Sequence, residues 1–181
     1  MVYMLFAKGY EEAEAIVPCD ILRRGGVEVK MVGVSEKVVA SARSIRVEMD
    51  LLMEEMDPSD IEMLVIPGGL DSTNAIKANE TAKSLIRKCV EEDVWVAAIC
   101  AAPTIFGEMG ILEGKKAVCY PGMEGGLNCA QHCKGEQVVV DGKVVTGEGP
   151  GSPYEFGYKL LELLKGKEVM EQVKHAMYFH H

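Results

Sequence analysis

Short apolar runs alternate along the chain with longer segments whose apolar residues recur at helical spacing. Four of the runs have the length and the apolar content of buried strands: 2–7, 27–34, 61–66 and 94–99. Helices are predicted over 11–24, over 79–92, from Pro103, from Ser152 to 164 and after Gly166. Apolar strands that alternate with helices are typical of a parallel sheet covered on both faces. The predicted fold class is therefore α/β, a doubly wound sandwich with a mostly parallel central sheet and helices on both faces.

Three further segments are predicted at the margins of this sheet. Polar and apolar residues alternate over 38–47 with a break near Arg43, which predicts a small edge hairpin. A second hairpin is predicted over 137–146, because its centre is a strong Asp-Gly turn signal. The segment 48–62 has seven acidic residues and no basic one. We interpret it as a solvated loop with a short helical turn rather than as an ion site.

Size and charge narrow the function classes. A chain of 181 residues, 48% of them hydrophobic, is expected to form a single domain over 1–181. The formal net charge of −9 argues against nucleic acid as the main partner, since phosphate binding needs a basic surface. The chain has no run of about 18 apolar residues, so no membrane span is expected. His180 and His181 are either native or the remnant of a purification tag, and no function is assigned to them.

The six cysteines are interpreted as free thiols. The chain is too long and too apolar to need a disulfide scaffold, and no export signal is predicted, which favours a reducing, cytoplasmic location. Cys129, His132 and Cys133 resemble a ligand cluster, but zinc sites usually have four well-spaced ligands, so no metal is predicted. A disulfide between Cys129 and Cys133 is the alternative. The glycine-rich segment 147–152 lacks the lysine of a phosphate-binding loop and is interpreted as a turn before a helix.

Cys100 is the strongest candidate for chemistry. It directly follows the apolar run 94–99, and Pro103 begins the next predicted helix, which is the arrangement of a nucleophile elbow. The N–H groups and the dipole of a helix N-terminus favour thiolate over thiol, and cysteines in that setting have pKa values of about 3.5–7.5. We therefore expect a lowered pKa for Cys100. The alternative is a small buried apolar residue, as Cys19 and Cys89 are expected to be.

Two other segments are expected at the same edge of the sheet, where the carboxyl ends of the strands bind ligands. Gly68 and Gly69 follow a predicted strand, and their backbone N–H groups are candidates to bind an oxyanion; a tight turn without a ligand is the alternative. Glu14 lies where the first helix turns inward, whereas Glu11 and Glu12 are expected only to complement the helix dipole. A buried Glu14 has a raised pKa and can serve as a proton donor or a general base.

Four motifs together resemble the ThiJ/PfpI superfamily. Within it they are most similar to the branch of the Parkinson-disease-associated deglycase and its bacterial relatives, called here the DJ branch. The motifs are 7–14, 65–69, 97–103 and 149–151, and the likeness covers nearly the whole chain. This resemblance implies a flavodoxin-like sandwich, a homodimer, and chemistry without a cofactor on small dicarbonyls or glycated substrates.

The resemblance also implies roles for residues at the sheet edge. Cys100 matches the family's nucleophilic, oxidation-sensitive cysteine, and Glu14 matches the protonated glutamate that hydrogen-bonds it. Gly69 and Ala101 match the backbone donors of the oxyanion site. In the peptidase-like branch a histidine directly follows the cysteine, and here Ala101 stands in its place. A Cys-His peptidase is therefore not expected.

Four more residues are implied around the pocket. Arg43 matches the arginine that approaches the site across the dimer interface, and Arg24 and Pro150 match residues that line the same pocket. Tyr120 precedes Pro121 where animal members of the branch have a histidine. The auxiliary imidazole is therefore missing, which predicts slow proton transfer and slow turnover.

The function expected from the resemblance is that of a glutathione-independent glyoxalase, or of the related deglycase. Such an enzyme converts methylglyoxal to lactate with Cys100 as the nucleophile and Glu14 as the acid and base. The alternative is an oxidative-stress sensor, or a redox-regulated chaperone, that has little turnover and uses the same oxidisable cysteine. Because both functions use the same residues, the sequence leaves both open.

Overall fold

Over residues 1–179, which the computed structural model describes, the chain forms eleven strands and six α-helices. In chain order the strands are β1 (Val2–Phe6), β2 (Val29–Gly33), β3 (Val38–Ala40), β4 (Arg46–Glu48), β5 (Leu51–Leu52), β6 (Met63–Ile66), β7 (Trp95–Ile99), β8 (Lys116–Ala117), β9 (Gln131–His132), β10 (Val138–Asp141) and β11 (Val144–Gly147). The helices are α1 (Glu12–Arg24), α2 (Leu70–Lys77), α3 (Glu80–Glu91), α4 (Pro103–Glu108), α5 (Pro153–Lys165) and α6 (Lys167–Ala176). His180 and His181 lie outside the described residues. Within 1–179, no helix has both the length and the hydropathy needed to cross a bilayer.

Seven strands form the central sheet, in the order β10–β11–β7–β6–β1–β2–β5. Every pairing in it is parallel except that of β10 with β11. The five longer parallel strands follow the flavodoxin-like order, in which β1 lies between the second and third of them along the chain. The four strands predicted from apolar runs are present as β1, β2, β6 and β7, and the hairpin predicted over 137–146 is β10 and β11. The predicted fold class is confirmed.

Helices cover both faces of the sheet. Successive side chains of a strand point to opposite faces, and β1 shows this division. Its Val2, Met4 and Phe6 pack with residues of α1, α5 and α6. Tyr3 and Leu5 pack with residues of α2, α3 and α4. Because all five side chains are buried, β1 is apolar along its whole length.

The predicted edge hairpin is present, but it forms a sheet of its own. β3 and β4 pair antiparallel, with Val39 opposite Val47, and neither is part of the central sheet. Val39 and Met49 are buried and join the core on the side of α1. The position of this hairpin relative to the sheet edge therefore depends on side-chain packing and on contacts of its loop.

Four short elements are missing from the sequence prediction. The pattern predicts 48–62 as a loop, but β5 lies within it and pairs with β2 at the sheet edge. α2 has no clear apolar periodicity because its buried residues are Ser72, Thr73 and Ile76. β8 and β9 have two residues each, which is too short for a periodic pattern.

Close packing of α5 against α1 sets the position of the helix that carries Glu14. A Cβ atom on Gly157 of α5 would lie 2.8 Å from the Cδ1 of Ile21 and 3.0 Å from the Cα of Pro18. Pro18 is inside α1 and buried. The two helices therefore approach closely because residue 157 has no side chain.

We predict that Gly157→Ala lowers the free energy of unfolding by on the order of 1 kcal/mol. Alanine favours the helix by about 1 kcal/mol, but overpacking a tight contact costs about 1–3 kcal/mol, and here one neighbour is backbone. Urea unfolding measures the change. Gly151→Ala is the control, since nothing lies within 4 Å of its added Cβ. A Gly157→Ala variant that is more stable than wild type by about 1 kcal/mol, the helix gain alone, would show that the helices are not in tight contact.

Candidate active site

The backbone at Cys100 has the conformation of a nucleophile elbow. Its φ angle is +67°, in the left-handed region that costs a non-glycine residue on the order of 1–3 kcal/mol. Two hydrogen bonds hold it: the Cys100 N–H donates to the Gly147 carbonyl at 3.0 Å, and the Tyr120 N–H donates to the Cys100 carbonyl at 2.9 Å. These two bonds therefore hold the backbone of Cys100 in place at the end of β7.

Glu14 and Cys100 meet at Gly68, in the turn that follows β6. The Gly68 N–H donates to Oε2 of Glu14 at 3.0 Å. A Cβ atom on residue 68 would collide with that oxygen and would lie 2.6 Å from the Cβ of Cys100. The carboxyl and the thiol can approach each other because residue 68 is glycine.

The Glu14 carboxyl is completely buried. Burial raises its pKa to about 7; hydrogen bonding with Cys100 and the Gly68 N–H opposes the rise, and the charge of Glu11 adds to it. The other oxygen, Oε1, has no well-formed hydrogen bond within residues 1–179. Its interaction with the thiol changes the pKa of both groups, and such contacts in an empty site commonly tighten when substrate binds. The predicted burial and raised pKa of Glu14 are confirmed.

The lowered pKa predicted for Cys100 is wrong. Burial raises the pKa of this thiol to about 12, and the charge of Glu14 and a hydrogen bond to it add to the rise. The backbone N–H groups of Gly69 and Ala101 favour the thiolate, but they do not outweigh burial and the carboxylate. Each group therefore changes the pKa of the other, and the two titrate as a coupled pair.

A cleft of about 580 Å³ opens over the sulfur. Of the residues predicted from the sequence, it brings together Cys100, Gly69, Ala101, Arg43 and Tyr120. Gly68 is buried behind this surface, and its N–H is directed to Glu14. Among the predicted residues, the cleft is therefore lined by the thiol, by backbone at both expected oxyanion positions, by Arg43 and by Tyr120.

Two other predicted residues do not line this cleft. Arg24 is at the far end of α1 from Glu14, where it forms an ion pair with Asp20 at 2.8 Å and borders a separate groove. The prediction that Arg24 lines the site is therefore wrong for the described chain. Pro150 is exposed and outside the cleft lining. Its neighbour Gly149 lies under the Tyr120 ring, where an added Cβ would be 3.1 Å from Cδ2.

Three acidic residues near the cleft have contacts that the sequence did not predict, since Glu11 and Glu12 were expected only to complement the helix dipole. Glu11 and Asp71 line the cleft. Glu12 accepts hydrogen bonds from the Ser41 hydroxyl and, at 2.7 Å, from the Arg43 N–H. Burial opposes a lower pKa at Glu12, but these hydrogen bonds outweigh it and lower the pKa. In the sequence these acids are marked only by their position after a strand. Acids at the start of other helices have the same position, so it did not indicate a role.

The cysteines outside the cleft form no further site. All six are free thiols, so the alternative disulfide between Cys129 and Cys133 is not formed. Across residues 1–179, no three His, Cys, Asp or Glu side chains are grouped closely enough to hold a metal ion. Cys19 and Cys89 are buried in the core, as predicted.

Known proteins resemble this chain in sequence and in fold. The sequence profile of the DJ-1/PfpI family matches residues 1–163. Protein dj-1beta of Drosophila melanogaster is 34% identical over 172 residues, 94% of this chain and 92% of that protein. The crystal structure of Drosophila melanogaster DJ-1beta matches with a TM-score of 0.92 and 31% identity, over 99% of this chain and 98% of that one.

The names of two further relatives refer to an activity or to an oxidation state. Deglycase PfpI of Pyrococcus furiosus is 32% identical over 165 residues, 91% of this chain and 99% of that protein. The structure of oxidized Toxoplasma gondii DJ-1 matches with a TM-score of 0.92 and 29% identity, over 99% of this chain and 98% of that one.

The raised pKa of Glu14 predicts a pH-dependent stability. The pKa is about 7 in the folded protein against an ordinary 4.5, so the buried group favours folding most when protonated. Its contribution is complete below the unfolded value and is lost as the pH rises through about 7. At about 1.4 kcal/mol per pKa unit, the free energy of unfolding of wild type relative to Glu14→Gln falls by about 3 kcal/mol between pH about 4 and about 8. Urea unfolding at several pH values measures this difference, and a constant difference would contradict a raised pKa.

Proposed function

Since the chain belongs to the DJ-1/PfpI family, we propose that it is a cofactor-independent enzyme of the glyoxalase or deglycase type. Its substrate would be a small dicarbonyl or a glycated compound, with Cys100 as the nucleophile and Glu14 as the acid and base. The observation that carries the proposal is the pairing of a buried carboxyl with a thiol at the base of an open cleft. Relatives named deglycase support the general type of activity.

The first step is attack of the Cys100 sulfur on the aldehyde carbon of methylglyoxal. A carbon–sulfur bond forms, Glu14 takes the thiol proton, and the carbonyl oxygen gains negative charge. The N–H groups of Gly69 and Ala101, which already favour negative charge on the sulfur, can donate to that oxygen. Return of the proton to the oxygen gives a hemithioacetal and restores the Glu14 carboxylate.

The second step moves a proton between the two carbons of the bound substrate. Glu14 takes the hydrogen from the carbon bonded to sulfur, and its electron pair passes into an enediolate. The hydroxyl proton passes from the oxygen on the sulfur-bearing carbon to the oxygen on the neighbouring carbon. The same carboxyl then gives its proton to the neighbouring carbon, which leaves a lactoyl thioester. Water cleaves the carbon–sulfur bond to release lactate and the thiol. A pKa of about 7 suits a group that must both accept and donate a proton near neutral pH.

Tyr120 occupies the position from which a histidine would assist these transfers. Its side chain is partly exposed and lines the cleft. General acid–base assistance contributes about 10²–10⁴ in rate, so its absence supports slow turnover. A peptidase is not proposed, because Ala101 follows the nucleophile. The homodimer remains a prediction from the resemblance, and the cytoplasmic location remains a prediction from the cysteine content of the sequence.

We predict that the protein forms lactate from methylglyoxal without glutathione. Cys100→Ala should abolish this activity, and Glu14→Gln should lower kcat at least about 10²-fold, because it removes the proton carrier. The wild-type kcat should rise with pH through about 7 as Glu14 becomes a carboxylate. Cys133→Ala is the control, since that thiol is outside the cleft. Lactate formation by Cys100→Ala, or none by wild type, would overturn the proposal.

A redox sensor or redox-regulated chaperone is the second candidate function. The likeness to the structure of oxidized Toxoplasma gondii DJ-1 favours it. Oxidation of the thiol by two equivalents of hydrogen peroxide gives a sulfinic acid and two water molecules. However, the thiolate is the form that reacts, and the raised pKa keeps the Cys100 sulfur protonated. A raised pKa slows oxidation, and for that reason we place the enzyme first.

Mass spectrometry after mild peroxide treatment separates the two functions. If the protein is an enzyme first, Cys100 should oxidise no faster than the partly exposed Cys129 and Cys133, and dicarbonyl turnover should be measurable. A gain of two oxygen atoms confined to Cys100, in a protein without dicarbonyl turnover, would instead establish the sensor.

A further inference from the structure

Arg43 reaches the cleft from a part of the fold that is separate from the central sheet. It lies in the loop between β3 and β4, which pair only with each other, and it lines the cleft together with Cys100. A two-stranded hairpin is only marginally stable by itself in water. The position of the arginine therefore depends on what anchors this loop to the rest of the molecule.

Glu12, the first residue of α1, provides a side-chain anchor for the loop. One of its oxygens, Oε1, accepts hydrogen bonds from the Ser41 hydroxyl and from the Arg43 N–H, the latter at 2.7 Å. The Ser41 hydroxyl in turn accepts the Ile45 N–H at 3.0 Å. A single carboxylate oxygen thus binds the start, the middle and, through Ser41, the end of the loop. Ser41 is buried, so water competes little for these bonds.

The geometry leaves the charged end of Arg43 available to a ligand. Glu12 holds the arginine through its backbone N–H; within residues 1–179 the guanidinium group forms no ion pair, although its charge helps to lower the pKa of Glu12. The backbone adds two further ties between loop and helix start: Gly9 N–H to Ala40 carbonyl and Ala42 N–H to Tyr10 carbonyl, each at 2.8 Å. These two backbone bonds fix the start of the loop. Glu12 is the side chain that holds the loop at Ser41 and at Arg43.

We propose that Glu12 is a positioning residue, which sets the Arg43 guanidinium in the cleft over Cys100. Its effect on KM rests on the proposed function, because Arg43 would contact the dicarbonyl substrate. Its effect on the charge of the cleft does not depend on the proposed function, because any anion that approaches the sulfur is attracted by the guanidinium charge. Loss of the Glu12 carboxylate should therefore weaken the attraction of the cleft for anions, although it removes a negative charge.

A direct test is possible because the two roles of Glu12 have opposite effects. Loss of its charge alone would strengthen the attraction of the cleft for anions, whereas loss of its positioning role would weaken it. Iodoacetate and iodoacetamide alkylate the same sulfur and differ in charge, and mass spectrometry of the Cys100 peptide measures both rates. Arg43→Ala should lower the ratio of the iodoacetate rate to the iodoacetamide rate by about fivefold, as expected for one partly solvated charge nearby. Glu12→Ala should lower the ratio to a similar extent and should have no such effect in the Arg43→Ala background. If Glu12 acted only through its charge, the ratio would rise in Glu12→Ala.

A conservative variant and a matched control complete the design. Glu12→Gln keeps an oxygen that can accept both hydrogen bonds, so its ratio should stay at or above the wild-type value. Glu80→Ala removes an exposed acid at the equivalent first position of α3, where it pairs with Lys83, and should leave the ratio unchanged. Thermal unfolding checks that each variant is folded.

Steady-state kinetics extend the test to the substrate. In Glu12→Ala the KM for methylglyoxal should rise as much as in Arg43→Ala, with a smaller change in kcat. A wild-type protein without turnover would end the proposed function but would leave the alkylation result valid. A ratio that rises in Glu12→Ala, or that falls equally in the presence and absence of Arg43, would overturn the positioning role.

Discussion

The contact between the Glu14 carboxyl and the Cys100 thiol is the constraint around which the rest of the site is arranged. Both groups are removed from water, which disfavours the charged form of each, and they come from segments 86 residues apart in the chain. The strand order makes the contact feasible: β1, β6 and β7 are neighbours in the sheet, so the segments that follow them share one edge. Gly68 then leaves the space in which carboxyl and thiol face each other.

In the proposed reaction, this contact determines how the nucleophile is activated. A thiolate held in advance by helix N–H groups would need no base, but burial and the Glu14 charge raise the pKa of the thiol here. The carboxylate, with a pKa near 7, is then the group that must take the proton as the carbon–sulfur bond forms. The backbone N–H groups of Gly69 and Ala101 are left to stabilise charge that develops during the reaction, not charge that is present before it.

Most of the sheet, but less of the site, was accessible from the sequence. Continuous apolar runs predict β1 and β7 because both faces of those strands are buried, and the positions of Cys100 and Glu14 follow from where strands end. The pKa of Cys100 did not follow, because local sequence reveals the helix start but not the burial that outweighs it. The prediction put Arg24 at the cleft because a motif match does not show how far apart two residues of a helix lie. Arg24 is the last residue of α1, and Glu14 is in its first turn.

The least predictable feature is the dual use of the first turn of α1. Residues two apart in an α-helix point to nearly opposite sides, since each residue turns the helix by about 100°. Glu12 and Glu14 are separated in this way: one carboxylate binds the loop that carries Arg43, and the other faces the thiol. In sequence Glu14 stands out because it lies where the helix turns inward, but nothing near Glu12 in the sequence indicates that it binds a distant hairpin. A displacement of this turn would therefore move the Glu14 carboxyl and the Arg43 loop together, which couples the position of the hairpin to the surroundings of the sulfur.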